Sequence, residues 1–496
     1  MDRAERSVIA VDLGASSGRV IQITLKEGRI FLRERHRFAN SKISAMGRQY
    51  TDILYIYSEI VKGLQNVFRG GGEIDSVGID AWGVDFVFLD SEGELVGNAY
   101  HYRDSQAAGM MEHAAKDFGR GGLFQMTGVQ DMWYNTVFQL MGIAARNPGR
   151  LQQAKCFLMI ADMISYLLTG DKNLEYTGVS TTQMYDIRHK RWKDSILRRL
   201  DVEKSLFPEV LMTGSIKGYL SPQAANLIGV RTDVRIPVIA AAQHDSACAA
   251  YAVPSEDENY IFINSGTWSV IGSILDEPVI TEEVYEKNFS NEGAAFGKIK
   301  LVKSIMGMWL IQELRSVWEK QGKNCEYDYL LREAEQAPAF SHMIDVEDEL
   351  FVAPDNMEDA IHQYCEKTGQ GRMHTQGEFY RTVVESLAFQ YRKAVEDIEG
   401  ITGKTTDVLY FLGGAVKDQM FCQFIADASG KTVSAGPIEA TAVGNALIQL
   451  RALGVVENER ENAEILGRSF EIKRYSPQDT KVWTQMYEKY QNVIMK

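Results

Sequence analysis

Two kinds of hydrophobic pattern alternate along the chain. Short apolar runs bounded by glycine and hydroxyl residues predict strands, and stretches with an apolar residue at every third or fourth position predict helices. "VIAVDLGASSGRVIQI", Val8 to Ile23, is two apolar runs around a turn containing Asp12, Gly14, Ser16, Ser17 and Gly18. "YIFINSGTWSVIGSIL", Tyr260 to Leu275, repeats the device as strand, glycine-hydroxyl turn and strand. "DSVGIDAWGVDFVFLD", Asp75 to Asp90, predicts two strands around a tight bend at Trp82-Gly83. "IPVIAAAQHDSACAAYAV" predicts a buried strand running into a small-residue helix. "TDVLYFLGGAVKDQMFCQFIADASG" predicts a strand, a Gly-Gly turn and an amphipathic helix, and the periodic "FYRTVVESLAFQYRKAVEDIEG" predicts a helix before it. Mixed strands and helices throughout make this an α/β protein.

A chain of 496 residues is long enough for two large domains. The most linker-like mid-chain stretch is "VPSEDEN", Val253 to Asn259. A boundary there gives domains 1–253 and 254–496, each opened by one copy of the strand–turn–strand device.

Composition narrows the function. Hydrophobic residues make up 45 % and charged residues 24 %, a globular balance. No apolar run reaches the roughly 18 residues of a membrane span. The start "MDRAERS" is neither a secretory signal nor a transit peptide, so a cytoplasmic protein is expected. The net charge of −14 argues against nucleic acid as a partner. It leaves anionic ligands open, because backbone N–H groups bind phosphate without net basic charge. Five scattered cysteines without a CxxC, and histidines without ligand spacing, fit a reducing compartment and no zinc site.

The opening turn has the parts of a phosphate cradle: backbone N–H groups and two serine hydroxyls, with Gly14 and Gly18 supplying conformational freedom and space. Asp12 at the strand end is a candidate Mg²⁺ ligand. A glycine-serine hairpin without any ligand explains the same residues. The second turn offers Ser265, Gly266, Thr267 and Ser269, so one polyphosphate gripped from two sides is the expectation. In "AAQHDSA", Asp245 stands where a strand gives way to a helix, either as an N-cap or as a general base. The helix end is expected to lower its pKa. His244 beside it suits a polyol, or is a structural histidine. Gly413-Gly414 permit close approach of a ligand to backbone, and Trp82 offers a flat face to a sugar or belongs to the core. Cys248 reads as packed.

Taken together, the motifs resemble the FGGY carbohydrate kinases, of the sugar-kinase, actin and heat-shock-chaperone ATPase superfamily. The matching segments are "AVDLGASSGRV", "SVGIDAWGVDFVFLD", "YRDS" (Tyr102 to Ser105), "EYT" (Glu175 to Thr177), "HDSA", "SGTWS", "NEG" (Asn291 to Gly293), "IMGMWLIQ" (Ile305 to Gln312) and "AGPIEATAVGNALIQL" (Ala435 to Leu450), in the family's order. The resemblance implies two ribonuclease-H-like, actin-like ATPase domains with a nucleotide cleft between them, and ATP with Mg²⁺ as cofactors. By motif match Ala15, Ser16, Ser17, Gly18, Arg19, Thr267, Gln312 and Gly414 would contact ATP. Gly83 and His244 would contact the sugar, and Asp245 would accept the proton. The implied reaction moves the ATP γ-phosphoryl onto the 1-hydroxyl of a ketose, L-rhamnulose, with L-fuculose and L-xylulose as other candidates. A non-catalytic sugar or nucleotide sensor and a sugar-independent ATPase share the same fold. The chain departs from the family at Ser304, a substrate position where similar kinases carry Asn, at Ala415 in the Gly-Gly-Gly turn, and at Lys417-Asp418, where they carry Gln-Asn.

Overall fold

The computed structural model describes residues 5–257 and 259–494. Residues 1–4 of the charged start, and Glu258 of the expected linker, lie outside the described residues. In chain order, the elements that position the site begin with β1 (Arg6–Leu13), β2 (Ser17–Lys26), β3 (Arg29–Ala39), α1 (Ile53–Arg69) and β4 (Ser76–Ala81). They continue with β5 (Ile216–Tyr219), β6 (Pro237–Ile239), α2 (Asp245–Tyr251), β7 (Ile261–Ser265), β8 (Trp268–Leu275) and β9 (Ile299–Met306). The last are α3 (Gln376–Thr402), β10 (Val408–Leu412), α4 (Gln419–Ser429), β11 (Thr432–Ala435), α5 (Ala440–Ala452) and β12 (Lys473–Tyr475).

The chain forms two units. The first is Met1–Glu256, Ile274–Leu301 and Ala440–Ser469; the second is Asp257–Ser273, Val302–Glu439 and Phe470–Lys496. The first break falls beside the boundary expected at 253/254, but the division is not one cut. The segment carrying α5 belongs to the first unit, because its polar side chains are bonded into that unit's sheet.

In the first unit six strands run in the order β5-β6-β4-β1-β2-β3. β1 pairs antiparallel with β2 and parallel with β4, and β4 pairs parallel with β6. β1 and β4 are buried almost end to end, so both faces of the sheet's centre need cover. Helix α1 packs on β2 and β3, and α5 on β1 and β4. Helix α1 starts at Asp52, whose carboxylate accepts from Tyr55 N at 3.0 Å. α5 is apolar or buried on nearly every side, as a helix inside a layered core must be. Its Gln449 Nε2 donates to Ile9 O at 3.0 Å and to Asn445 Oδ1 at 2.6 Å, and Ser76 Oγ donates to Gln449 Oε1 at 2.7 Å. Gly78 makes room for this network: a Cβ there would lie 2.5 Å from Asn445 Oδ1.

The second unit repeats the arrangement. Six of the seven strands of the second large sheet run in the order β9-β8-β7-β10-β11-β12. β7 pairs antiparallel with β8 and parallel with β10, as β1 does with β2 and β4. The duplicated device of the sequence is thus a repeated topology: a hairpin whose first strand is flanked by a parallel neighbour. The long helix α3 begins in a capping box formed by Thr375 and Glu378.

The bend at Trp82-Gly83 is not a hairpin. Its second strand, Phe86–Leu89, leaves the main sheet and pairs with Cys156–Met159. The chain turns there because Val84 adopts a left-handed φ of 66°; its N–H donates to Thr181 Oγ1, and its carbonyl accepts from Thr136 Oγ1 and Gln139 Nε2. A β-branched residue in that region costs about 1–3 kcal/mol, which the surrounding bonds offset.

Candidate active site

Three carboxylates stand at the C-terminal ends of three neighbouring parallel strands of the first unit. Asp12 and Asp80 are register partners on β1 and β4. Ala81 bridges to His244 and its N–H donates to Gln243 O at 3.1 Å, which brings Asp245 to the end of the β6 line. Ligand sites in α/β sheets form at such strand ends.

The three differ in surroundings. Asp12 is ion-paired with its cross-strand neighbour Arg19. Asp80 is fully buried; Asn445 Nδ2 donates to its Oδ2 at 2.6 Å, and its buried Oδ1 has no hydrogen-bond partner. Burial, reinforced by the charge of Asp12, pushes its pKa well above the ordinary carboxylate range. The Asp245 side chain is 35 % exposed. It is not the N-cap of α2: His244 holds that position, and Asp245 is the first helical residue, its Oδ1 accepting from Ser246 N at 2.6 Å. Its pKa is shifted up, not down as a helix end alone would do. The low-dielectric surroundings raise it; His244 pulls it back, and the charge of Asp12 adds to the rise.

His244 is held on all sides. Its backbone N–H donates to Thr177 Oγ1 at 3.1 Å. Thr177 in turn donates to Glu175 Oε2 at 2.6 Å, and Gln243 N donates to the same oxygen at 3.1 Å. On the ring, Nε2 lies 3.2 Å from Ser246 Oγ and 3.6 Å from Asp245 Oδ1, while Nδ1 lies 3.3 Å from Glu292 Oε2. Glu175 is fully buried, and burial lifts its pKa to about 7 against these donors.

Trp82 is half-buried and follows Ala81, the residue that bridges to His244, and its Nε1 donates to Asp85 Oδ2 at 3.0 Å. Asp85 is fully buried, and burial raises its pKa to about 7 although Trp82, Gln139 and Tyr102 N donate to it. Gly83 sits against Thr181, with a virtual Cβ only 3.0 Å from its side chain.

The opening turn differs in detail from a cradle of free donors. Gly14 N–H donates to Ser17 O at 2.9 Å inside the turn, and Asn40 ties the turn from outside by bonds to Ser16 O and Gly14 O. Neither Gly14 nor Gly18 has a left-handed φ. Gly18 is required for a different reason: a Cβ would lie 2.2 Å from the Phe38 ring. Ala15 and Ser16 are exposed, and Ser17 and Arg19 are half-buried.

In the second unit the hydroxyls of the matching turn divide into two groups. Ser265 and Ser269 are fully buried and bond each other at 3.0 Å and the buried Tyr391 hydroxyl, so they serve the core and are not open to a phosphate. Thr267 is at the surface, its Oγ1 donating to Gln312 Oε1 at 3.2 Å, which joins two of the residues expected at the nucleotide. Gly413, with φ 89°, lies against the same turn; a Cβ would meet Ser265 O at 2.7 Å. Next to it Gly414 faces open space. The departure at Asp418 has a structural reason: it caps α4 through Phe421 N at 2.9 Å and accepts from Tyr380 OH at 2.9 Å. Ser304 is half-buried on β9 in the second unit, whereas Trp82, Gly83 and His244 belong to the first.

Sequence reasoning assigned no role to Asp80, Asp85, Glu175, Glu292 or Lys300, although the first four fall inside the quoted motifs. A charged residue inside an otherwise apolar strand, as in "SVGIDA", is the signal that marks Asp80. Among the described residues, no helix is long and apolar enough to cross a membrane.

Comparison with known proteins agrees with this geometry. Residues 7–252 match the N-terminal domain, and residues 261–453 the C-terminal domain, of the FGGY family of carbohydrate kinases. The chain is 36 % identical over 490 residues to the rhamnulokinase of Bacteroides thetaiotaomicron, covering 99 % of this chain and 100 % of that protein. It is 37 % identical over 469 residues to the rhamnulokinase of Oceanobacillus iheyensis, covering 94 % and 98 %. Among solved structures it resembles a gluconate kinase from Lactobacillus acidophilus (TM-score 0.81, 16 % identity, 99 % of this chain and 98 % of that one). It also resembles the Plasmodium falciparum glycerol kinase solved with ADP (TM-score 0.79, 16 % identity, 99 % and 98 %). These likenesses show the two-domain sugar-kinase fold of actin-like ATPase type. The chain belongs to the FGGY family of carbohydrate kinases.

Proposed function

We propose that this kinase transfers the γ-phosphoryl of ATP to the 1-hydroxyl of L-rhamnulose, giving L-rhamnulose 1-phosphate and ADP, with Asp245 as proton acceptor. The observation that carries the reading is the placement of Asp245. It is a partly open carboxylate of raised pKa, at the strand ends, within 3.6 Å of a histidine that can hold a sugar hydroxyl. The full-length relatives named rhamnulokinase support the choice of sugar.

Asp245 orients the acceptor hydroxyl and takes its proton late, as a loose phosphoryl-transfer transition state requires. A raised pKa makes it a better base than an ordinary aspartate. His244 and the backbone at Gly83 hold the sugar, with Trp82 stacked on its apolar face, and Ser304 is the remaining substrate position. Ala15, Ser16, Ser17, Gly18, Arg19, Thr267, Gln312 and Gly414 contact ATP in this reading.

Among the described residues no group of three or more His, Cys, Asp or Glu is placed to hold a metal unaided. Asp12 and Asp80, side by side with Asp80 Oδ1 unpaired, suit Mg²⁺, which takes one or two carboxylates and fills its shell with water and phosphate oxygens. When bound, it neutralises charge on the ATP phosphates.

The test is coupled ADP release with L-rhamnulose, L-fuculose and L-xylulose in turn. The highest kcat/KM is expected with L-rhamnulose. Turnover independent of sugar, or a preference for another ketose, would refute the assignment.

A further inference from the structure

Lys300 is an anomaly in the first unit: an ammonium whose side chain is 0 % exposed. Burying such a charge is unfavourable unless it is paired. Its pair is Glu292, from the strand Ser290–Gly293, in close contact with it. Burial alone would raise the Glu292 pKa, but Lys300 and His244 hold it far below the usual carboxylate range.

Charge balance explains two of these groups and leaves the third contact unexplained. Lys300 Nζ also lies 3.4 Å from His244 Nδ1, the same nitrogen that Glu292 Oε2 approaches at 3.3 Å. Lysine can only donate and the Glu292 carboxylate can only accept, so Nδ1 faces a donor and an acceptor together and is held in the interior whichever ring nitrogen carries the proton. Nε2 is the atom beside Asp245 and Ser246.

We propose that the buried Lys300–Glu292 pair is a positioning device for the acceptor sugar. It anchors Nδ1 of His244 in the interior and presents Nε2, next to Asp245, to the sugar hydroxyls. The inference rests on the reading that His244 contacts the sugar. Neither Lys300 nor Glu292 touches substrate; both act through the imidazole.

The test uses H244N, K300M, E292Q, the double variant K300M/E292Q and the triple variant with H244N added. It reads KM for L-rhamnulose, KM for ATP, kcat and the thermal midpoint. Each single pair variant leaves one buried charge unmatched and should lower the midpoint. The double variant leaves none, so its midpoint should recover, and K300Q/E292Q replaces it if methionine disturbs the packing. Its KM for L-rhamnulose should stay raised about 5- to 10-fold, the value of one hydrogen bond, with KM for ATP unchanged. Adding H244N should raise KM by no more than about 2-fold further, because the two changes act on one contact. A wild-type sugar KM in the double variant, with H244N alone impaired, would show the pair to be purely structural. Full additivity with H244N would likewise overturn the proposal. A wild-type sugar KM in H244N alone would instead sink the sugar-contact reading of His244, and the proposal with it.

Discussion

Replacing Asp245 by asparagine isolates proton transfer from everything else the side chain does. Asparagine keeps the shape, and its carbonyl oxygen can still accept from Ser246 N, the bond Asp245 makes at 2.6 Å. The change also removes a charge that Asp12 repels, so the thermal midpoint should stay level or rise slightly. What is lost is the base. kcat should fall about 10²-fold or more, equivalent to about 2.7 kcal/mol of transition-state stabilisation, while ATP binding persists. The pH dependence sharpens the test. Asp245 acts when ionised, so kcat of the wild type should decline as pH falls through its folded pKa. That pKa is shifted up from 3.8, so the acid limb should lie at higher pH than an ordinary aspartate would give, and Asp245→Asn should lack it. The assay is coupled ADP release at saturating ketose, with ATP affinity measured separately by calorimetry. Turnover near the wild-type rate in the variant would remove Asp245 from the base role.

Other perturbations test the scaffold. Gly18→Ala puts a methyl 2.2 Å from the Phe38 ring and should destabilise by about 1–3 kcal/mol in urea unfolding, with Phe38→Leu in the same chain recovering most of the loss. Ser269→Ala removes a buried partner of Tyr391 and should cost about 1–3 kcal/mol in the same assay with kcat little changed; a collapse of ATP affinity without loss of stability would return Ser269 to the nucleotide site. Asp85→Asn should become more stable relative to wild type as pH rises. The folded pKa of about 7 lies above the ordinary 3.8, so the wild type loses stability across that window and the neutral variant does not; a midpoint difference constant from pH 4 to 8 would contradict this.

The sequence made the strand–turn–strand devices legible because apolar runs broken by small hydroxyl residues have few other solutions, and both hairpins stand where the pattern put them. The small-residue helix α2 was equally plain, and the closeness of its packing has a visible cause: a Cβ on Gly444 would lie 1.8 Å from Cys248 O. Which hydroxyl faces which way was not legible. Ser265, Thr267 and Ser269 share one turn, yet the two serines are cross-strand partners that point together at Tyr391, while the threonine sits in the turn itself, outside both strands. Glycine was misread for a related reason: Gly18 looks like a turn glycine in the chain, but its need is set by Phe38, a contact 20 residues away in sequence that no local pattern encodes. The second layer behind His244 was hidden because Glu175, Glu292 and Lys300 come from separate elements and meet only through the fold. A contiguous second domain was expected, but α5 returns to the first unit through Asn445 and Gln449, polar residues whose partners Asp80 and Ile9 lie more than 360 positions earlier.

The most direct measurement is the chemical identity of the product. Wild-type enzyme with ATP and L-rhamnulose, followed by phosphorus and proton NMR, should yield ADP and a phosphomonoester coupled to the C1 methylene protons in equal amounts. Inorganic phosphate accumulating beside unmodified ketose, or phosphate on another carbon, would contradict phosphoryl transfer to the 1-hydroxyl.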